Sequence, residues 1–246
     1  VKGDTIAAAV KVEAEEKSGF RVRHLDADLR FTPEIMEFKE LNLETNNSKL
    51  GDYFAMHYDS FIDDMNDFMS DVRMEGRFNE SELNSDDLAF FDPYLSGWKR
   101  KFKFSGRAEG SVESLKAEEM DIRSGESRLT GSLSLKGLPD LDSTAFEIAN
   151  GYLQTTSSEI TGLIPAIKGN PGFRFEKFGN IQYFGDLKGK LDQFQVSGNI
   201  KTDMGNASAD MRVQLGGSGS PAYEGKIFTT GLNIGALTGM NEKLVV

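Results

Sequence analysis

From Lys101 to Val112 the chain alternates without a slip. Phe102, Phe104, Gly106, Ala108, Gly110 and Val112 are apolar or small, and Lys101, Lys103, Ser105, Arg107, Glu109 and Ser111 between them are polar. A strand turns successive side chains to opposite faces, so this run predicts a strip with one greasy face and one wet face. The two-residue beat returns at Leu129–Leu135, Ile181–Leu191, Phe194–Ile200 and Ala207–Leu215. Val10–Ala14, Phe20–Phe31, Ile35–Leu43, Tyr53–Tyr58 and Leu115–Ile122 read as further strands, with turns at Glu15–Gly19, Thr45–Ser48 and Gly137–Asp140. Within Phe20–Phe31 the greasy positions change parity, from Phe20 and Val22 to Leu25, Ala27, Leu29 and Phe31. A bulge near His24 restores the face, because one extra residue re-aims every side chain after it.

Between Asp59 and Val72 the period changes. Phe61, Met65, Phe68, Met69 and Val72 fall at helical spacing with Asp63, Asp64 and Asp67 opposite, which predicts one short amphipathic helix. A second helix is expected over Asp86–Leu95. A third is expected behind Thr156-Ser157-Ser158-Glu159, which has the spacing of a capping box and is followed by Ile160, Leu163, Ile164 and Ile167. Gly169-Asn170-Pro171-Gly172 is a strong breaker, and Gly216–Pro221 reads as a flexible loop.

A weak repeat runs through the strands: a bulky residue, one position, Gly, one position, then an apolar residue. It occurs around Gly76, Gly106, Gly131, Gly198 and Gly225. Glycine inside a strand costs stability and marks a bend or a close approach. Either these glycines share one role and let the sheet curl, or each is a local irregularity.

Composition narrows the function classes. The chain has 246 residues, 38% of them hydrophobic, and its 26 glycines bring it into the range of a globular domain. Lys and Arg number 28 against 39 Asp and Glu, a net charge of −11, which argues against nucleic acid and against a polybasic grip on anionic lipid heads. With no cysteine there is no disulfide and no thiolate metal site. No apolar run approaches the roughly 18 residues of a membrane-spanning helix. A chain opening on Val1 reads as a piece of a longer protein. It is expected to form one elongated β-rich segment, with a sub-boundary near residues 137–172 between strand-rich blocks 1–140 and 173–246.

Reactive constellations are missing. His24 and His57 are the only histidines, and neither has a carboxylate at ligand spacing along the chain. Asp59, Asp63, Asp64, Asp67 and Asp71 lack the central Gly and final Glu of a calcium loop and read as a solvated helix face. Gly216-Gly217-Ser218-Gly219-Ser220 has neither nucleophile-elbow spacing nor the Gly-Lys of a phosphate loop. Trp98 at a strand entry reads as packing. No catalytic residue, metal or cofactor is expected, and the chain is not expected to be an enzyme.

Several stretches carry a resemblance when taken in order. They are Gly19-Phe20, Asp87-Leu88-Ala89-Phe90-Phe91-Asp92-Pro93-Tyr94-Leu95, Phe104-Ser105-Gly106, Gly137-Leu138-Pro139-Asp140 and Leu153-Gln154-Thr155-Thr156. Then come Phe194-Gln195-Val196-Ser197-Gly198-Asn199-Ile200-Lys201-Thr202, Tyr223-Glu224-Gly225-Lys226-Ile227 and Leu232-Asn233-Ile234-Gly235-Ala236-Leu237-Thr238-Gly239. In this order the chain resembles the TamB and AsmA-like envelope protein family, above all its Bacteroidetes form, over essentially its whole length. The resemblance implies a periplasmic segment of a long protein anchored in the inner membrane of a Gram-negative cell. It implies stacked strands folded into a groove with an apolar inner wall, and a part in phospholipid transport and outer-membrane biogenesis. The helices expected here depart from an uninterrupted groove.

The expected fold is therefore mainly β. It is a curved antiparallel sheet, taco-like or groove-like or an open barrel, with two or three short helices. Under the first functional reading, phospholipid acyl chains lie against Phe102, Phe104, Leu133, Leu135, Leu187, Leu191, Met211 and Val213 with head groups in water. Each methylene removed from water contributes about 0.8 kcal/mol. Under the second, the same residues close on one another as a core and exposed sheet edges pair with partner strands. Such a scaffold or interaction module would assist outer-membrane protein assembly, with an assembly-type barrel as a partner.

Overall fold

The computed structural model describes residues 5–90, 93–163, 167, 174–215, 222–239 and 245, without the side chains of Pro93 and Tyr94. The breaker at Gly169–Gly172, the loop at Gly216–Pro221, the helix position Ile164 and the motif residues Phe91 and Asp92 lie outside the described residues.

The protein is mainly β. Its strands are β1 (Ile6–Glu15), β2 (Arg21–Phe31), β3 (Ile35–Glu44), β4 (Lys49–His57), β5 (Arg73–Asn84), β6 (Lys101–Gly110) and β7 (Ser114–Ser124). They continue with β8 (Ser127–Lys136), β9 (Ala145–Thr156), β10 (Asn180–Gly189), β11 (Gln193–Thr202), β12 (Gly205–Gln214) and β13 (Ala222–Thr230). The 13 strands are hydrogen-bonded in chain order, so every link is a hairpin-type connection and β1 and β13 end the sheet without closing it. Two compact units divide the chain. The first holds Val1–Ser124 and Leu133–Thr144, the second Gly125–Ser132 and Ala145–Val246, so that β8 contributes Ser127–Ser132 to the second and Leu133–Lys136 to the first. The sheet is antiparallel and curved within each unit.

Bulges keep the greasy face in register. Against β1, β2 holds one extra residue between Val22 and Leu25, because Val12 pairs with Leu25 and Ala14 with Val22. This is the bulge expected near His24. In the first unit β3, β5 and β7 each hold an extra residue relative to their neighbours, at Glu40, Glu80 and Glu119, with φ of 49°, 50° and 53°. In the second unit β9 does the same at Asn150, φ 50°. A side chain in this left-handed region is uncommon and needs local support. The Glu80 amide donates to Ser105 Oγ at 2.8 Å, and the Asn150 amide to Asp186 Oδ1 at 2.7 Å. Each bulge switches parity, so β5 presents Met74, Gly76 and Phe78 and then Ser81 and Leu83 to one face.

The repeated glycines do not share one role. Gly106, at φ +141°, faces the β7 bulge, where a Cβ would stand 2.5 Å from Met120 Sδ and 3.0 Å from the Glu118 carbonyl. Gly76 has no such φ, and the nearest atoms its added Cβ would meet are all of the Phe78 ring.

The helices are shorter than expected. Over Asp59–Val72 two turns form, α1 (Phe61–Asn66) and α2 (Phe68–Asp71), broken at Asp67 with φ −114° and ψ 44°. Asn66 and Asp67 are poor interior helix residues because their side chains compete for backbone groups. The expected helix over Asp86–Leu95 is likewise split into α3 (Ser85–Leu88) and a 3-10 turn (Pro93–Gly97). Pro93 lacks the amide needed to continue a helix and opens the new turn instead. Helix α4 (Ser157–Leu163) starts at the expected capping box, where Thr156 Oγ1 accepts from the Glu159 amide at 3.2 Å. A 3-10 turn (Phe175–Phe178) and α5 (Ile234–Thr238) complete the second unit.

Candidate functional site: the apolar face within each unit

In the first unit the strand registers line up apolar rows. Phe31, Met36, Met56 and Met74 are successive cross-strand neighbours, as are Leu25, Leu43 and Leu50. Phe102 pairs with Leu83, and Phe104 with Ser81 and Ile122. The Phe104 ring meets Phe78 edge-on at 5.2 Å, and Phe102 tilts against Trp98 at 6.2 Å. Trp98 thus packs at the strand entry as expected. At the other strand ends Phe61 of α1 closes on Phe31 at 5.3 Å and Tyr58 at 5.2 Å.

The second unit has the same construction. Ile148, Leu187, Val196 and Met211 form one row across β9 to β12, and Phe194, Val213 and Tyr223 another across β11 to β13. On the far side of the Leu187 row lies a row of small residues, Gly151, Gly185, Gly198 and Ala209. Tyr183 covers it: the residue is 5% exposed, and its hydroxyl donates to the carbonyls of Asp186 at 2.7 Å and Ser197 at 3.0 Å. Burial pushes the Tyr183 phenol up to about 12.

The eight candidate residues divide between the units. Phe102 and Phe104 lie on β6 and Leu133 and Leu135 on the part of β8 that belongs to the first unit, Leu133–Lys136. Leu187, Met211 and Val213 lie on β10 and β12 in the second. Leu191, expected on a strand, sits instead in the two-residue turn after β10, closed by the Lys190 amide donating to the Gln193 carbonyl at 2.7 Å. Val196 brings Leu187 and Met211 into one row; Leu191 is outside it. All eight side chains are half-buried. The apolar face at these positions is therefore only partly covered.

The wet face is laced with charge. Glu82 takes Lys101 at 2.8 Å and Lys103 at 3.1 Å, and hydrogen bonds from both hold its carboxyl below the ordinary range. Glu37, 7% exposed, accepts from the Tyr53 hydroxyl at 3.1 Å, and Arg77 stacks over the Tyr53 ring at 4.7 Å. Burial, reinforced by Glu37, pushes the Tyr53 phenol up to about 12. Both histidines have a carboxylate neighbour: His57 Nε2 stands 3.7 Å from Glu75 on the next strand, and His24 Nε2 3.9 Å from Asp26 two residues along its own strand. Asp63 and Asp64 bond back to the start of α1, at Ser60 Oγ and the Asp59 amide.

Asp87, the first residue of the Asp87–Leu95 motif, has a structural task. It is 3% exposed and accepts from Thr45 Oγ1, from the Asn47 amide at 3.0 Å and from Asn47 Nδ2 at 2.8 Å, tying the β3–β4 turn to α3. Among the described residues no three histidine or acidic side chains are grouped to hold a metal ion, and no helix is long and apolar enough to cross a membrane. The chain matches no protein-family model, no curated protein and no solved structure.

Proposed function

We propose that the chain is a non-enzymatic segment of a cell-envelope protein whose apolar sheet face holds phospholipid acyl chains. The observation that carries this reading is the half-buried state of all eight candidate side chains on or beside an unclosed antiparallel sheet. A packed sandwich would drive such residues to full burial, and a surface strand would expose them. The ordered motifs resembling the TamB and AsmA-like family support a periplasmic setting and a part in lipid transport between the two membranes. The acidic net charge suits a surface that takes up tails and leaves head groups in water.

A second reading, a strand-pairing module assisting outer-membrane assembly, draws on β13. Nearly every residue of this terminal strand is exposed, including Tyr223 and Ile227. Uptake of a fluorescent fatty acid by detergent-free protein, competed by phospholipid, separates the two. Saturable, competed uptake supports the groove; no uptake leaves strand pairing as the better account.

A further inference from the structure

The wet face of the second unit breaks its own rule in one place. The registers set Tyr152, Phe184, Asn199, Ser208 and Phe228 side by side across β9 to β13. Phe184 is 56% exposed and Phe228 70%. The next row holds Gln182, Lys201, Asn206 and Thr230. Over these two rows lies a furrow of about 430 Å³. Its walls are the Tyr152–Phe184 pair on one side and Phe228 on the other, three strand spacings or about 14 Å apart.

Sheet stability accounts for only part of this row. Tyr152 and Phe184 are direct cross-strand neighbours, and such an aromatic pair does stabilise a sheet. Phe228 is different. Its cross-strand neighbour is Ser208, and leaving so large an apolar side chain in water stabilises nothing. The floor between the walls is neutral and rich in hydrogen-bonding groups. Ser208 Oγ donates to Asn199 Oδ1 at 2.8 Å, which leaves both Asn199 amide hydrogens without a partner among the described residues. Asn206 and Gln182 add two more side-chain amides, and among the described residues that line the furrow Lys201 is the one cation and none is a carboxylate.

Aromatic platforms on either side of an amide-and-hydroxyl floor match a ligand with apolar C–H faces and a rim of hydroxyls. A sugar chain has both. A single lysine in a chain of net charge −11 does not suit a polyphosphate or nucleic acid, and a floor without carboxylates does not suit a cation. The two platforms share one cross-strand row, three strand spacings apart, so a ligand that meets both must be extended over that span.

We propose that this furrow binds a linear β-1,4-linked oligosaccharide, with Phe184 and Phe228 stacking on its rings and Asn199, Ser208 and Asn206 bonding its hydroxyls. The site is on the face opposite the lipid-holding one and does not depend on it.

The test is calorimetric titration of the full chain with the β-1,4-linked glucose hexasaccharide, alongside the α-1,4-linked hexasaccharide. Saturable binding of the first and weaker binding of the second are expected, with amide NMR shifts concentrated at Asn199, Ser208 and Phe228 in the unaltered protein. Phe184→Ala and Phe228→Ala each weaken binding roughly tenfold, the worth of one aromatic stacking contact. Lys226→Ala, on the same face but outside the furrow, leaves it unchanged. Absence of binding at millimolar sugar overturns the proposal, as does equal binding of the coiling hexasaccharide or shifts that map elsewhere. Full affinity in a folded Phe228→Ala variant overturns it too.

Discussion

The hydroxyl of Tyr183 reaches across from β10 to donate to the backbone carbonyl of Ser197 on β11 at 3.0 Å, laying its ring against Gly198. A Cβ at Gly198 would stand 2.8 Å from Tyr183 Cε2 and would also press on the Phe184 carbonyl. One partner there is backbone and cannot swing aside. Gly198→Ala is therefore expected to destabilise the second unit by about 2 kcal/mol in urea unfolding. At Gly76 the nearest atoms an added Cβ would meet belong to the Phe78 side chain and not to backbone, so Gly76→Ala is expected to cost less, under about 1 kcal/mol. Equal costs would mean that close backbone approach does not require glycine at Gly198.

Alkaline pH tests the buried phenols. Tyr183 and Tyr53 are both raised to about 12, chiefly by burial, whereas an unfolded tyrosine titrates near 10. A raised folded pKa means that the stabilisation is complete below pH about 10 and is lost as pH rises toward about 12. Unfolding free energy is expected to fall across that window. Tyr183→Phe should flatten part of the fall while losing about 1 kcal/mol at neutral pH with its hydrogen bonds. An unchanged alkaline slope in this variant would contradict the placement of the Tyr183 hydroxyl.

Acid tests the first unit through Asp87. Burial opposes its ionisation, but hydrogen bonds from Thr45, Ser48 and Asn47 outweigh burial and hold the carboxyl below its ordinary value. A lowered folded pKa means that the stabilisation is present above the unfolded value near 3.9 and disappears as pH falls below it. Asp87→Asn is expected to cost about 2 kcal/mol at pH 7 and to shrink the acid-induced loss. Chemical denaturation at pH 7 and pH 3 reads both.

The facing of the strips is open to a paired substitution. Leu133 is half-buried and its neighbour Ser132 exposed. Leu133→Asp and Phe104→Asp are expected to abolish fatty-acid uptake or folding, while Ser132→Asp leaves both intact. Damage from Ser132→Asp equal to that from Leu133→Asp would reverse the assignment of faces.

How much of this is legible in the chain depends on where the bulges fall. β6 carries no extra residue, and its alternation reads directly from Phe102 to Gly110. The β2 bulge is legible because large apolar residues flank His24 on both sides in opposite parity. On β5 and β9 the same device hides the strand. Glu80 and Asn150 switch parity in the middle, and no strict two-residue template survives the switch. Helix ends were harder still, since a break at Asp67 depends on which backbone groups its neighbours capture. Leu191 continues the two-residue beat of its strand, but a two-residue turn takes it out of the row. The aromatic row on the wet face is invisible in the sequence. Phe184 and Phe228 become neighbours of one furrow only through the registers of three hairpins.

The central claim is that the apolar face holds lipid tails, and lipid carried through purification tests it most directly. The full chain, expressed in a Gram-negative host and purified without detergent, is extracted and its lipids are weighed by mass spectrometry against protein. Phospholipid at a reproducible molar ratio, lost in Phe104→Asp and kept in Ser132→Asp, is the predicted result. Lipid-free protein that also takes up no fluorescent fatty acid would contradict it.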